Sequence, residues 1–99
     1  MRADVQNLFI GIHMLSIAHE KDLTLTEIQP ELEKLGYRIA EREVKQELER
    51  LTQDNFLTAH GDAFSITGTG LEEFKHIEEK LRVLCTEVLK PAATADSKR

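Results

Sequence analysis

The stretch from Ile39 to Asn55 constrains the fold most, because it carries an uninterrupted apolar stripe at helical spacing. Its apolar side chains are Ala40, Val44, Leu48 and Leu51. Side chains separated by four, four and three residues share one face of an α-helix. No Gly or Pro interrupts the stretch, and Asn55 follows the last turn, where Asn tolerates the left-handed conformation that ends helices. The pattern predicts a three-turn helix, here called helix 3, with one buried and one outward polar face.

The composition indicates a single small globular domain. The chain has 99 residues, of which 40% are apolar, with five glycines and two prolines. A single cysteine, Cys85, excludes an internal disulfide and a metal cluster built on cysteines. No apolar run is long enough to span a membrane, and Met1–Val5 lacks the pattern of a signal peptide. These features predict a soluble cytoplasmic protein.

Helix 1 is predicted over residues 4–19, with Asp4 as its N-cap. Its apolar positions form a stripe at Val5, Leu8, Phe9, Ile12 and Leu15. The stripe is widened by Met14, Ile17 and Ala18. Helix 1 is therefore expected to bury more than one side, either centrally or against a second subunit.

A short strand and helix 2 are predicted next. Leu23–Leu25 reads as a strand, and Thr26 followed by Gln29 matches a capping box. Pro30 is expected in the first turn, and Gly36 is expected to end the helix. The predicted inward stripe consists of Ile28, Leu32 and Leu35.

A β-hairpin is predicted over residues 56–66, with Gly61 and Asp62 in its turn. The alternating positions on its strands are Phe56, Thr58, Phe64 and Ile66. Thr67 and Thr69 are both candidate caps for the helix that follows.

Helix 4 is predicted from residue 71 to about 90, ended by Pro91, with a disordered tail over 91–99. The domain is thus expected to cover residues 1–90. The helix carries apolar side chains at coiled-coil spacing, namely Phe74, Ile77, Leu81, Leu84 and Val88. This stripe either covers the core of its own domain or joins helix 1 in a homodimer interface, and we favour the homodimer.

The element order resembles that of a winged helix-turn-helix domain, mainly α with a small β-hairpin. The likeness spans roughly residues 5–90 and is carried by Thr26–Ile28, by the Val44, Leu48, Leu51 and Asn55–Leu57 series, and by Phe64–Gly70. The long last helix looks most like that of small PadR-type transcriptional regulators, which dimerise through such a helix. Two features depart from the pattern: Ala40 stands where a capping Ser or Thr is common, and the tip His60–Asp62 carries no Lys or Arg.

The resemblance implies that helix 3, about residues 40–53, reads the major groove of duplex DNA. A helical wheel places Arg42, Gln46, Glu49 and Gln53 opposite the buried stripe, with Lys45 and Arg50 beside them. Expected contacts to base edges come from Arg42, Gln46 and Gln53, and contacts to phosphates from Arg38, Lys45 and Arg50. On the same wheel Glu41 and Glu47 lie nearer the buried stripe.

The charge favours the alternative of an acidic winged-helix module that binds another protein and no DNA. The net charge of the chain is −5, and residues 23–57 hold five basic and eight acidic side chains. DNA-binding domains are usually locally basic, because phosphate contacts supply much of their affinity. Sequence alone leaves both interpretations open.

An enzyme is not expected, nor is a metal or other cofactor. The histidines are scattered, at His13, His19, His60 and His76. The six-residue separation of the first two does not suit a pair of ligands on one helix face. Cys85 is interpreted as a buried or interfacial small apolar residue, with a redox-active thiol as the alternative.

Overall fold

Four helices and three short strands make up residues 1–89, the part of the chain that the computed structural model describes. They are α1 (Ala3–Glu20), β1 (Leu23–Thr24), α2 (Leu25–Lys34), α3 (Glu41–Gln53), β2 (Leu57–His60), β3 (Ala63–Ile66) and α4 (Gly68–Val88). The predicted fold class, mainly α with a small β-hairpin, is confirmed. Pro91 and the tail predicted over 91–99 lie outside the described residues.

The three strands form one antiparallel sheet in the order β1-β3-β2. His60 pairs with Ala63, so the hairpin has a two-residue turn, and Gly61 adopts a φ of 63° there. Two-residue hairpins place a positive φ in the turn, which glycine adopts without steric cost. On the other side, Leu23 pairs with Phe64, which joins the segment after α1 to the hairpin.

The core is organised around α3, as its stripe predicts. Val44, Leu48 and Leu51 are at most 2% exposed. Ala40 does not belong to the buried stripe; it is exposed and precedes the first residue of the helix. Asn55 adopts a φ of 66°, so the predicted left-handed end of the helix is confirmed.

The predicted buried face of α1 is rotated from the observed one. Its buried apolar residues are Ile10, Met14, Leu15 and Ala18. Val5, Leu8 and Phe9 are exposed, and the helix begins at Ala3 with Arg2 at the N-cap position instead of Asp4. Because apolar residues surround much of this helix, its periodicity cannot decide which of them faces the core.

The start of α2 differs from the prediction in its N-cap residue and in the position of Pro30. The helix begins one residue before Thr26, with Thr24 as N-cap, and the Thr24 hydroxyl donates to Glu27 Oε1 at 3.1 Å. Pro30 therefore lies inside the helix, beyond its first turn. Gln29 completes no capping box; its side-chain amide donates to the Ile39 carbonyl at 3.1 Å.

The end of α2 follows the prediction except at Leu35. Gly36 adopts a φ of 99°, and the N–H of Tyr37 donates to the Leu32 carbonyl at 3.1 Å. A left-handed glycine with this hydrogen bond satisfies carbonyls that a helix end leaves without partners. Ile28 and Leu32 are buried, but Leu35 is 53% exposed because it lies past the last helical residue.

The start of α4 packs closely against the residues that lead from α3 into the hairpin. The helix begins at Gly68 rather than residue 71, and Thr67 is its cap, with its hydroxyl accepting from the Gly70 N–H at 2.9 Å. A Cβ on Gly70 would lie 2.2 Å from the carbonyl oxygen of Phe56. Only glycine therefore permits this approach of the α4 backbone to the start of the hairpin.

Candidate functional site

The outward face of α3 carries most of the side chains expected to bind. The exposed polar residues on this helix include Arg42, Lys45, Gln46, Glu49 and Gln53. The first four stand at i, i+3, i+4 and i+7, so they share one surface of the helix. Buried Val44, Leu48 and Leu51 hold the opposite face against the core.

Three of the predicted cationic side chains are exposed and form no ion pair in the described part of the chain. Within residues 1–89, Arg38, Arg42 and Lys45 make no ion pair. Arg38 lies in the turn before α3, and its backbone carbonyl accepts from Gln6 Nε2 at 3.5 Å. Since no carboxylate holds them, these cations are available to an anionic partner.

Arg50 is engaged differently from the other predicted cations. Its guanidinium donates to both carboxylate oxygens of Glu47 and, at 3.2 Å, to Asp54 Oδ2. The hydrogen bond to Glu47 raises the pKa of Arg50 above its ordinary value. Arg50 is therefore ion-paired with Glu47 of its own helix and with Asp54, the C-cap residue.

Glu47 is buried between α3 and α1, as the wheel predicted. Its side chain is 9% exposed. A Cβ on Gly11 would lie 2.7 Å from Glu47 Oε2, so the glycine leaves room for the carboxylate. Glu41, which the wheel also placed nearer the buried stripe, is exposed at the first residue of the helix.

Glu43 provides the cap that Ala40 cannot. Its carboxylate accepts from the Ala40 N–H at 3.0 Å, at the helix end where negative charge is stabilised. Glu41 and Glu49 remain as exposed acids on α3 without an ion pair in the described part of the chain. The face is therefore of mixed charge, with its acids only partly neutralised.

The hairpin holds a polar cluster that sequence reasoning missed. Ser65 donates to Asp22 Oδ1 at 2.9 Å, and His60 Nε2 lies 2.5 Å from Ser65 Oγ and 3.6 Å from Asp22 Oδ2. Asp22 comes close only because β1 pairs with β3. The cluster ties the hairpin to the start of β1, and all three groups are satisfied by one another.

The other predicted chemical residues lie apart. His13 packs edge-on against Tyr37 with ring centroids 5.3 Å apart, and His19 lies 5.6 Å from the Phe74 ring. Cys85 is exposed rather than buried in the single chain. In residues 1–89 no three His, Cys, Asp or Glu side chains come together as a metal site requires.

The predicted interface stripe on α4 changes from buried to exposed along the helix. Phe74 is buried, Ile77 and Leu81 are half-buried, and Leu84 and Val88 are 46% and 71% exposed. Among the described helices none has the length and apolar character needed to cross a membrane.

Comparisons with known proteins agree with this architecture. The family model described as the ribonuclease R winged-helix domain matches residues 12–74, from the middle of α1 to Phe74 in α4. A solved structure of a transcriptional regulator from Clostridium thermocellum superposes with a TM-score of 0.72 and 20% sequence identity, covering 91% of this chain and 99% of that one. At that identity the similarity shows a common fold. No curated protein sequence matches this chain significantly.

Proposed function

We propose that the chain, which belongs to the ribonuclease R winged-helix domain family, is a small transcriptional regulator that binds duplex DNA through α3. The observation that carries this proposal is the outward face of α3, where Arg42 and Lys45 are exposed without acidic partners. In helix-turn-helix proteins the second helix of the motif enters the major groove. The solved structure with the same fold comes from a protein named a transcriptional regulator, which supports the same function.

The side chains suit distinct parts of a duplex. Arg42 can donate two hydrogen bonds to guanine, and Gln46 and Gln53 can pair with adenine. Arg38 and Lys45 would contact phosphates, which position the protein without reading sequence. Arg50, predicted to do the same, instead stabilises Glu47, so we leave it out of the proposed contacts.

The proposed regulator acts as a homodimer. Two copies of α3 about one duplex turn apart would read the two halves of a palindromic site. The exposed end of the α4 stripe supports this arrangement. The length of α4 also supports the finer assignment to regulators of the PadR type.

Titration of labelled duplexes tests the proposal. Fluorescence anisotropy at ~50 mM salt, with duplexes that include the region upstream of the protein's own gene, should show binding that weakens steeply as salt rises. Arg42→Ala and Lys45→Ala should each weaken binding about tenfold, and Lys45→Ala should also reduce the salt slope by about one. Lys75→Ala, on the exposed surface of α4, is the matched control and should change little.

Two results would contradict DNA binding through α3. If no duplex binds at low salt, or if Lys75→Ala weakens binding as much as Lys45→Ala does, α3 is not a DNA-reading helix. The control shows whether a loss is specific to this face or follows from the total charge.

A second function, recognition of another protein, is favoured by the acids near the site. Glu41 and Glu49 share the exposed surface of α3, and the hairpin tip carries Asp62 without a Lys or Arg. A basic partner protein would suit this surface. In affinity capture, the natural chain should then retain a partner that the Glu49→Lys variant does not retain, and neither should bind a duplex. If the natural chain and the variant retain the same partner equally, α3 is not the docking surface.

A further inference from the structure

The segment between α2 and α3 carries Arg38, a cation whose place is not fixed by a helix. This segment, residues 35–40, is called the α2–α3 turn, and residues 37–40 of it form neither helix nor strand. In the described part of the chain, neither Arg38 nor Ile39 takes part in a backbone–backbone hydrogen bond. The position of Arg38 relative to α3 therefore depends on side chains that hold the turn.

Two glutamine side chains from different helices contact successive carbonyls of the turn. Gln29 Nε2, on α2, donates to the Ile39 carbonyl at 3.1 Å. Gln6 Nε2, on α1, donates to the Arg38 carbonyl at 3.5 Å. A backbone carbonyl only accepts, so the amide nitrogen of each glutamine must face it. The backbone that follows Arg38 is thus tied to both helices.

Of the two contacts, the one from Gln29 is the stronger. Its 3.1 Å lies within the usual range of N–H···O hydrogen bonds, whereas the 3.5 Å from Gln6 lies beyond it. Gln29 is half-buried and follows the buried Ile28, so its own backbone is anchored in the core. The side chain of Ile39 is buried as well. The contact from Gln29 therefore joins two anchored points next to Arg38.

This arrangement lowers the cost of using Arg38 in binding. Arg38 is exposed and makes no ion pair within residues 1–89. An arginine that meets a partner loses side-chain freedom, and a mobile backbone beneath it would lose further freedom. Because Gln29 fixes that backbone before any partner arrives, only the side chain of Arg38 has to be ordered.

We propose that Gln29 is a positioning residue for DNA binding, which holds Arg38 where it meets a phosphate of the duplex that α3 reads. This role rests on the proposed function and deepens it, since Gln29 itself contacts no DNA. Gln29 acts through the turn, because the one hydrogen bond of its side chain in the described part of the chain goes to the Ile39 carbonyl. Lys45 needs no such support, because the buried stripe of α3 holds that helix in place.

The variant Gln29→Met tests this role, because it removes the amide donor and keeps the length and neutrality of the side chain. Water can then satisfy the Ile39 carbonyl but cannot tie it to α2. In fluorescence anisotropy with the duplex that the natural chain binds most tightly, Gln29→Met should weaken binding about fourfold. It should also reduce the salt slope by up to about one, as Arg38→Ala does, although it alters no charge. A general loss of structure would not produce that selective change in slope.

Double-mutant cycles separate the positioning of Arg38 from a general effect on the fold. With Arg38→Ala already present, Gln29→Met should weaken binding by less than about 1.5-fold, because nothing remains for Gln29 to position. With Lys45→Ala present, Gln29→Met should keep its effect of about fourfold, since the two sites act independently. Gln6→Met makes the same change at the longer contact and should weaken binding by less than about twofold.

NMR relaxation without nucleic acid gives a readout that does not depend on DNA binding. In Gln29→Met the backbone order parameters of Arg38 and Ile39 should fall, while those of Val44 and Leu48 on α3 stay unchanged. Circular dichroism confirms that each variant is folded.

The outcomes that overturn this role differ from the one that overturns the proposed function. Additive losses in the cycle with Arg38→Ala, or order parameters that do not change, overturn the role of Gln29. If the natural chain binds a duplex and Gln29→Met binds it equally well, the role of Gln29 fails and the proposed function stands. If the natural chain binds no duplex, both fail.

Discussion

The helices α3 and α4 each carry one apolar stripe, yet the domain uses the two stripes differently. On α3 the stripe is at most 2% exposed from Val44 to Leu51. In the stripe of α4 only Phe74 is buried, and exposure grows to 71% at Val88. α3 packs against α2 and β2. α4 packs against α1 and β3, but its residues from Arg82 onward are exposed.

The difference shows that periodicity reports which face of a helix is apolar and not what covers it. The stripe of α3 stabilises the fold of one chain. The last two turns of α4 contribute little to that fold, and their apolar side chains remain available for a partner. The following predictions test how far this division holds.

The largest contrast is expected between a leucine from each stripe. Leu48→Ala should lower the free energy of unfolding by about 3 kcal/mol, because it leaves a cavity in the core. Leu84→Ala should lower it by at most about 0.5 kcal/mol in dilute protein, where the side chain faces water. Urea denaturation at several protein concentrations measures both effects.

The effect of Leu84→Ala should grow with concentration if a dimer forms, since association then adds to stability. A large, concentration-independent loss for Leu84→Ala would mean that its own chain covers this end of α4. The division between the two stripes would then fail.

The anchored start of α4 supplies the second contrast. Gly70→Ala should destabilise the domain by about 2 kcal/mol, because its Cβ would lie 2.2 Å from the Phe56 carbonyl oxygen, which is backbone and cannot turn aside. Gly68→Ala meets nothing within 4 Å and should be neutral or slightly stabilising. Thermal unfolding of the two variants compares them, and equal melting temperatures would contradict a tight junction at Gly70.

The smallest contrast concerns acids on the two helices. Glu47→Gln should cost about 1 kcal/mol, because a nearly buried partner of Arg50 loses its charge while Arg50 itself stays half exposed. Glu79→Gln, on the exposed side of α4, should change stability by less than about 0.3 kcal/mol. Equilibrium denaturation near neutral pH resolves the pair, and equal effects would show that the Glu47–Arg50 pair contributes nothing particular.

Local features were predictable wherever one residue's conformation or one stripe decided them. The stripe of α3, the left-handed Asn55, the Gly61 turn and the Gly36 helix end were all readable from neighbouring residues. The N-cap of α2 was less predictable, because Thr24 and Thr26 carry the same side chain and packing decides which of them precedes the helix.

One failed prediction had a local cause, and one omission did not. Arg50 was predicted to be a free cation, although Glu47 and Asp54 stand three and four residues from it, a spacing at which side chains on a helix meet. The cluster of Asp22, Ser65 and His60 joins residues as many as 43 positions apart through the β1–β3 pairing, and no local pattern reveals it.

The amino-acid sequence by itself determined the order of the elements, the face that α3 turns to the core and the apolar stripe of α4, since these follow from short-range spacing and backbone preference. Only the tertiary structure decided which side of α1 is buried, that Asp22, Ser65 and His60 come together, and where along α4 the rest of the chain no longer covers the stripe. These depend on contacts between segments far apart in the chain, whose packing competes with, and here overrides, the local signal.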